Sequence, residues 1–179
     1  MRIIAGSRKG ARLFAPKGGA VRPTGDRVRE AIFNLVGPVD GADVLDLYAG
    51  SGAMGLEALS RGAARVTFVE SDAEAARTIV RNLDKLRLEG ATVLREDAAR
   101  RLATDAAGGR RYDLVLIDPP YRMLVRILPA LAAYLPGVVA PDGLAVVESD
   151  ARDEPELPLQ KRTSRRYGSA RVTVFEGVA

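Results

Sequence analysis

The stretch "YDLVLIDPPY", Tyr112 to Tyr121, decides how this chain folds. Leu114-Val115-Leu116-Ile117 is continuously apolar, the pattern of a strand buried on both faces in a parallel sheet covered by helices. Ligands of such sheets sit outside the carboxyl ends of the strands, which is where the next four residues fall. Proline fixes φ and has no N–H, so Pro119 and Pro120 stop the ladder and leave the Pro119 carbonyl without a strand partner. The segment therefore presents the Asp118 carboxylate, a free carbonyl and the Tyr121 ring together. A simple strand terminator would explain Asp-Pro alone; it explains the full Asp-Pro-Pro-Tyr group poorly.

Working outward, "ADVLDLYA", "ARVTFVE", "ATVLRED" and "GLAVVES" read as further strands. Between the strands lie the helical patterns "MGLEALSRG", "DAEAARTIVRNLDKL", "DAARRLATDAA" and "MLVRILPALAAYL". This βαβα order predicts an α/β fold, a parallel sheet with helices on both faces. A last pair of strands, around Pro158 to Ser164 and Ala170 to Phe175, has no helix between its members and predicts an antiparallel hairpin at one edge. Ahead of the sheet, Val28, Ala31, Ile32, Leu35 and Val36 recur at helical spacing after Thr24, read as an N-cap, with Asp26 in the first turn. "RIIAG" and "KGARLFAP" before them read as a short hairpin arm.

At 179 residues the chain fits one domain that buries about two thirds of its unfolded surface. It has no cysteine and no histidine, which removes thiolate nucleophiles, Ser-His pairs and ordinary zinc sites; no metal is expected. No apolar run approaches membrane-spanning length, and "MRIIAGSRKG" has no signal-peptide character, so a soluble cytoplasmic protein away from membranes is expected. The net charge of +4 is unevenly spread: residues 1 to 30 carry +6, residues 161 to 171 carry +5, and the remainder −7. Two basic ends on an acidic body suggest a polyanion approached from one side, although charge runs are commonly just solvated surface.

The first strand runs into "DLYAGSGAMG", where Gly50, Gly52 and Gly55 spell GxGxxG, and Glu70 at the tip of the second strand follows 20 residues after Gly50. The pattern reports a tight strand-to-helix turn that lets a nucleoside-bearing ligand approach, with an acid placed to accept from ribose hydroxyls. S-adenosylmethionine meets that description as well as NAD does, and a tight turn alone would also produce the glycines. A dehydrogenase needs a proton donor and usually a second domain, and this chain offers no histidine and no room for the latter.

Asp-Pro-Pro-Tyr supplies what methylation of a nucleobase amine requires. Such an amine is a poor nucleophile because its lone pair is delocalised into the ring. Donation of its two N–H groups to the Asp118 carboxylate and the Pro119 carbonyl favours a pyramidal nitrogen with its lone pair free for attack on a sulfonium methyl. Tyr121 can stack on an extruded base.

With these residues in view, the sequence resembles the bacterial guanine-N2 methyltransferases of small-subunit ribosomal RNA, the RsmD family, over nearly its whole length. The resemblance is carried by "RIIAG", "RPTGDRVREAIFN" at Arg22 to Asn34, "DLYAGSGAMGLEALSRGA" at Asp46 to Ala63, Glu70, Asp97-Ala98 and "DPPY". The glycine loop and "DPPY" recur in many amine methyltransferases, whereas the arm with "RPTGDRVREAIFN" is far more specific. The chain departs from the family pattern at Tyr48, where phenylalanine is common, and at Ala11, where a basic residue is common, which bears on one phosphate contact of the arm. The basic segment near the C-terminus matches loosely.

The resemblance implies a Rossmann-like class I methyltransferase sheet of seven strands, the last antiparallel, and S-adenosylmethionine as methyl donor. It implies that Asp46, Tyr48, Ala49, Gly50, Ser51 and Gly52 line the methionine end of the cofactor, that Glu70 and Ser71 take the ribose, and that Asp97 and Ala98 flank the adenine. Asp97 reads equally well as the N-cap of the following helix. Ser51, with no base at hand, reads as a small loop residue. Asp118, Pro119, Pro120 and Tyr121 form the catalytic group. Arg2, Arg8, Lys9, Arg12, Arg22, Thr24, Arg27, Arg29, Arg165 and Arg166 are the expected RNA contacts, against a plainer reading of residues 22 to 29 as a helix start with solvated arginines. The expected organisation is an arm over residues 1 to 20 and one methyltransferase domain over 21 to 179, monomeric, acting on 16S rRNA within an assembled or assembling small subunit. An adenine-N6 methyltransferase of DNA or RNA is the alternative, and a non-catalytic nucleic-acid- or NAD-binding module the third reading.

Overall fold

The computed structural model describes residues 1–16 and 25–177. The parallel βα units expected from the alternating patterns are present. In chain order they are α1 (Asp26–Val36), β1 (Asp43–Leu47), α2 (Ala53–Ser60), β2 (Arg65–Val69), α3 (Ala73–Leu86), β3 (Ala91–Leu94), α4 (Ala98–Ala107), β4 (Tyr112–Ile117), α5 (Leu124–Val138), β5 (Val139–Asp150), β6 (Gln160–Tyr167) and β7 (Ala170–Glu176). The strands form one sheet of order β3-β2-β1-β4-β5-β7-β6. β1 to β5 are parallel, and β7 runs antiparallel to both its neighbours. The expected terminal hairpin is therefore present, with its second strand turned inward and β6 left as the edge.

Alternation along each buried strand sends side chains to two cores. Val44, Val66, Phe68, Leu114, Leu116 and Val146 pack beneath α1, α2 and α3. Leu45, Leu47, Val69, Val115, Ile117 and Val147 pack beneath α4 and α5. α3 starts where Asp72 accepts from the Ala75 N–H at 2.8 Å, and ends at Arg87 in a left-handed conformation. α5 runs through Pro129 and Pro136 to Val138, three residues beyond the expected end, and leads directly into a β5 that begins earlier than the expected Gly143. The Arg111 guanidinium closes this junction by donating to the Pro136 and Val139 carbonyls. The residue that starts α1 is Gly25, with no side-chain cap; Thr24, expected in that place, lies outside the described residues.

The N-terminal segment is more than the expected hairpin arm. It is closed by one antiparallel bridge, Arg2 to Arg12, around a tight turn at Gly6–Arg8. It is laid against α2 so closely that a Cβ on Gly6 would sit 1.7 Å from the Ser60 carbonyl oxygen. Every residue of α2 is buried, including the polar Glu57 and Ser60, both of which hydrogen-bond to the arm. Glu57 accepts from the backbone N–H groups of Ile4 (2.7 Å) and Ala5 (2.9 Å) and from Arg61 Nε (2.8 Å). Ser60 Oγ donates to the Ala5 carbonyl at 2.6 Å and accepts from the Arg8 N–H at 3.0 Å. The arm's own unpaired backbone is thus satisfied by two polar side chains on a helix that is otherwise core.

Breaking a buried charge pair by removing one partner costs about 3 to 5 kcal/mol. Glu57→Ala removes the carboxylate shared by Arg61 and two arm N–H groups and takes one of two nearby acids from the buried Arg29, so denaturant unfolding should show a loss of that size, with the arm becoming cleavable by protease. A loss below about 1 kcal/mol, the range of an exposed pair, would show that Glu57 does not hold the arm.

Candidate active site

The carboxyl ends of β1, β2, β4 and β5 each carry an acid close to the point where the strand leaves the sheet: Asp46, Glu70, Asp118 and Glu148. Asp46 sits at the centre, 1% exposed, and its Oδ2 accepts from the Gly55 N–H at 2.8 Å. Burial raises its pKa to about 8; the Gly55 N–H opposes this, and the negative charges of Asp118 and Glu70 add to it. The three carboxylates therefore share one field. A site of this kind holds a proton or a cationic ligand more readily than an anion.

The glycine turn is built around the same acids. Chain direction reverses sharply after β1, with positive φ at Tyr48 (60°), Gly50 (56°) and Gly52 (80°). Glycine accepts such values freely, whereas at Tyr48 they carry strain, held by packing of the half-buried ring against the core under α4 and α5. Burial, then the nearby Asp97 carboxylate, push the Tyr48 hydroxyl up to about 12. Glu70 ties the turn down: its Oε2 accepts from the Gly50 N–H and its Oε1 from the Asp72 N–H, both at 2.8 Å. The Ala49 N–H donates to the Val69 carbonyl at 3.1 Å. Ser51 is buried, its hydroxyl 3.6 Å from Met1 Sδ. Asp97 caps α4 by accepting from the Arg100 N–H at 2.9 Å; Ala98 is buried and Ser71 exposed.

At the end of β4, Pro119 is buried and Asp118 half-buried. The Pro120 carbonyl accepts from the Met123 N–H at 2.7 Å, opening a short turn over Tyr121–Met123. The Tyr121 hydroxyl lies 3.4 Å from Glu148 Oε1. Since Ile117 pairs with Val147, Asp118 and Glu148 occupy the next register step on neighbouring strands. The fold thus gathers the glycine turn, Glu70, Asp97, Asp118 and Tyr121 at one end of the sheet. A cleft of about 480 Å³ at the opposite end, lined by Pro38, Asp113, Asp142 and Arg162 among others, contains none of these residues.

Three functional-looking residues lie outside the set expected from the sequence. Glu148 obeys the rule that selected Glu70 and Asp118, an acid at the tip of an apolar parallel strand, and was legible on that ground. Glu57 and Asn82 were not, because their partners are distant in sequence. Asn82, fully buried on α3, donates to the Ser51 carbonyl at 3.1 Å and exchanges two hydrogen bonds with the Phe14 backbone. It joins the arm to the glycine turn.

The expected RNA contacts separate into two kinds. Arg29 is corrected: it is fully buried, donating to the Arg2 carbonyl and to Asp26 Oδ1, with Glu57 3.7 Å away, so it holds the arm and meets no phosphate. Arg8 donates to the Leu86 carbonyl that ends α3 and to that of its C-cap, Arg87, and Arg2 lies 3.5 Å from Asp26. Lys9, Arg12, Arg27, Arg165 and Arg166 are exposed. Within the second basic segment Lys161, Arg162 and Arg171 are paired with Glu154 or Glu176, leaving Arg165 and Arg166 on edge strand β6. The two basic segments lie toward opposite edges of the sheet, one over α2 and α3 beside β2 and β3, and one on the hairpin at the far edge, with β6 outermost. Arg22 and Thr24 lie outside the described residues.

A parallel sheet of this order with β7 reversed, and a glycine turn after its central strand facing an acid on the next, defines the class I methyltransferase fold. The chain belongs to the RsmD-type family of that class: residues 1–176 match the family model described as Conserved hypothetical protein 95. It is 40% identical over 185 residues to YlbH of Bacillus subtilis (strain 168), covering 98% of each chain. It is 39% identical over 156 residues to the ribosomal RNA small subunit methyltransferase D of Escherichia coli (strain K12), covering 86% of this chain and 76% of that protein. Among solved structures, a hypothetical protein of Thermus thermophilus superposes with a TM-score of 0.85 at 34% identity, covering 98% of this chain and 99% of that one.

The raised pKa of Asp46 makes a prediction with a definite sign. Its proton affinity is higher folded than unfolded, so its contribution favours the folded state at acidic pH and is lost as pH rises from 3.8 to about 8. Asp46→Asn removes that dependence. Unfolding free energies of both proteins between pH 5 and 9 should show the parent losing ground to the variant until about pH 8, then a constant difference. A difference independent of pH would mean that Asp46 ionises normally in the folded chain.

Proposed function

We propose that the protein transfers a methyl group from S-adenosylmethionine to the exocyclic N2 amine of a guanine in small-subunit ribosomal RNA. The observation that carries this reading is the juxtaposition of the glycine turn with Asp118-Pro119-Pro120-Tyr121 around three interacting carboxylates. Family membership supports the rRNA substrate, since a relative of which most is covered is named a ribosomal RNA small subunit methyltransferase. The protein acts as a monomer in the cytoplasm on an assembled or assembling subunit. Residues 1 to 20 serve as an arm of the domain over 21 to 179.

The residues present fit the cofactor. S-adenosylmethionine supplies an electrophilic methyl group on a positively charged sulfur, and the field of Asp46, Glu70 and Asp118 suits such a cation. Asp46, Tyr48, Ala49, Gly50, Ser51 and Gly52 would hold its amino-acid end, Glu70 and Ser71 its ribose, Asp97 and Ala98 its adenine. Asp118 and the Pro119 carbonyl accept from the target amine, and the carboxylate stabilises the positive charge that develops on its nitrogen. No hydrogen bond occupies the Pro119 carbonyl among the described residues. Pro120 fixes the turn that presents Tyr121, whose ring stacks on the extruded base while Glu148 engages its hydroxyl. Arg2, Arg8, Lys9, Arg12, Arg27, Arg165 and Arg166 meet phosphates.

Glu70→Ala should lower S-adenosylmethionine affinity at least tenfold by calorimetry, since charge-assisted hydrogen bonds contribute about 1.5 to 3 kcal/mol each and the variant also frees the Gly50 turn. Asp118→Ala should keep cofactor affinity and reduce methyl transfer by at least a hundredfold. Digestion of ribosomal RNA methylated in small subunits from cells lacking the enzyme should yield N2-methylguanine. N6-methyladenine as sole product would replace this reading by the adenine enzyme, and tight NAD binding without methyl transfer would end it.

A further inference from the structure

Phe14 leaves 38% of its surface exposed, although its backbone is among the best held in the arm. Its N–H donates to Asn82 Oδ1 at 2.8 Å and its carbonyl accepts from Asn82 Nδ2 at 3.1 Å. The ring lies against two cations of α3, with the guanidinium carbon of Arg81 and the Nζ of Lys85 each 4.5 Å from its centroid. These cations are four residues apart on the helix, about 6 Å along the axis. Lys85 Nζ also donates to the Arg12 carbonyl at 2.7 Å, and the Arg8 guanidinium caps the helix end at Leu86 and Arg87. Arg8, Arg12, Arg81, Lys85 and Arg87 therefore line one continuous surface of arm and helix.

Among the described residues, none of these five cations has a carboxylate within ion-pair distance, although Asp84 and Glu89 belong to the same stretch. Elsewhere on the same side Arg77 is neutralised by Glu74 and Arg61 by Glu57. An aromatic ring orders a cation without removing its charge, at about 0.5 to 1 kcal/mol for an exposed pair. Arg81 and Lys85 are like charges at i and i+4, a spacing that destabilises a free helix and becomes favourable when a polyanion lies across it. The Asn82 amide that pins Phe14 also donates to the Ser51 carbonyl at 3.1 Å, so the surface abuts the glycine turn.

We propose that the surface formed by Phe14, Arg81 and Lys85, with Arg8, Arg12 and Arg87 beside them, binds the phosphate backbone of the RNA whose base is modified. The proposal rests on the rRNA methyltransferase reading and extends the RNA footprint from the basic arm onto α3. Phe14 acts by aligning the two α3 cations, and Asn82 fixes the height of that pair relative to the glycine turn.

Two measurements test it on the intact protein: fluorescence anisotropy with a labelled 16S rRNA fragment over a salt series, and methyl transfer to small subunits. Arg81→Glu/Lys85→Glu should weaken RNA binding about tenfold or more and reduce the slope of log affinity against log salt by about 1.4 to 1.8, the share of two phosphate contacts. S-adenosylmethionine affinity should stay unchanged, because neither side chain reaches the turn. Arg81→Gln/Lys85→Gln, which keeps length and helix propensity, should show a smaller loss with the same fall in slope, and decides the matter if the charge-reversed protein does not fold. Unchanged RNA affinity and salt slope in the folded glutamine variant overturn the surface, whatever the enzyme methylates. Weakened RNA binding in a protein that transfers no methyl group would uphold the surface and overturn the methyltransferase reading instead.

Discussion

The carboxylate of Glu57 is the point on which the N-terminal half of the molecule is organised. It lies at 0% exposure on a helix of eight residues and collects two backbone N–H groups, one guanidinium in direct contact and a second close by. A charge so deeply placed is tolerated only because these donors surround it. Its demand for donors draws the arm onto α2, and the arm in turn covers Arg29, Ile3 and Ser60. α2 follows directly from the glycine turn, so the covering that buries the helix also restricts the turn from which it starts. Local rigidity at the ligand-binding end of β1 is in this sense supplied by the first few residues of the chain.

A second constraint comes from the sheet. In a parallel sheet all strand ends of one kind lie together, and here four of the five parallel strands place an acid there. Burial raises the pKa of Asp46 most, and the neighbouring charges of Asp118 and Glu70 add to it, so the acids gathered there also repel one another. Donors lessen that repulsion: the Gly55 N–H for Asp46, the Gly50 and Asp72 N–H groups for Glu70, and the Tyr121 hydroxyl for Glu148. The residual field is what distinguishes this end of the sheet from a phosphate-binding turn, in which a helix N-terminus and basic groups would prevail.

Much of this was legible in the sequence because it is local. The continuous apolar run before Asp118, the glycine spacing after Asp46, and Asp72 and Asp97 as helix starts are read within windows of ten residues. The inward position of β7 followed only in part: its hairpin partner was evident, its insertion beside β5 was a matter of tertiary packing. Polar residues inside helices were misjudged for the same reason. Arg29 looks like one more member of a basic run, and nothing nearby announces that Glu57, 28 positions on, removes it from solvent. Counting charges along the chain also cannot separate Arg165, which faces solvent, from Arg171, which is folded back onto Glu154. Asn82 reads as one polar residue among the charges of α3, yet it meets Phe14 across 68 positions and Ser51 across 31.

The inward placement of β7 bears on how the molecule is assembled during synthesis. β7 pairs along its whole length with both β5 and β6, yet it follows both of them in the chain. Until Ala170–Glu176 emerges, β5 presents an open, apolar edge, Val146 and Val147 included, and β6 has nothing to pair with. Unpaired edges of this kind recruit other strands, so the interval before β7 arrives is the one in which a nascent chain is most exposed to mispairing. Closure then depends on contacts between β5 and a segment roughly 20 to 30 residues later, a short loop by the standards of parallel sheets and quick to close. The sheet is thus completed from within, by a strand slotted between two that are already waiting.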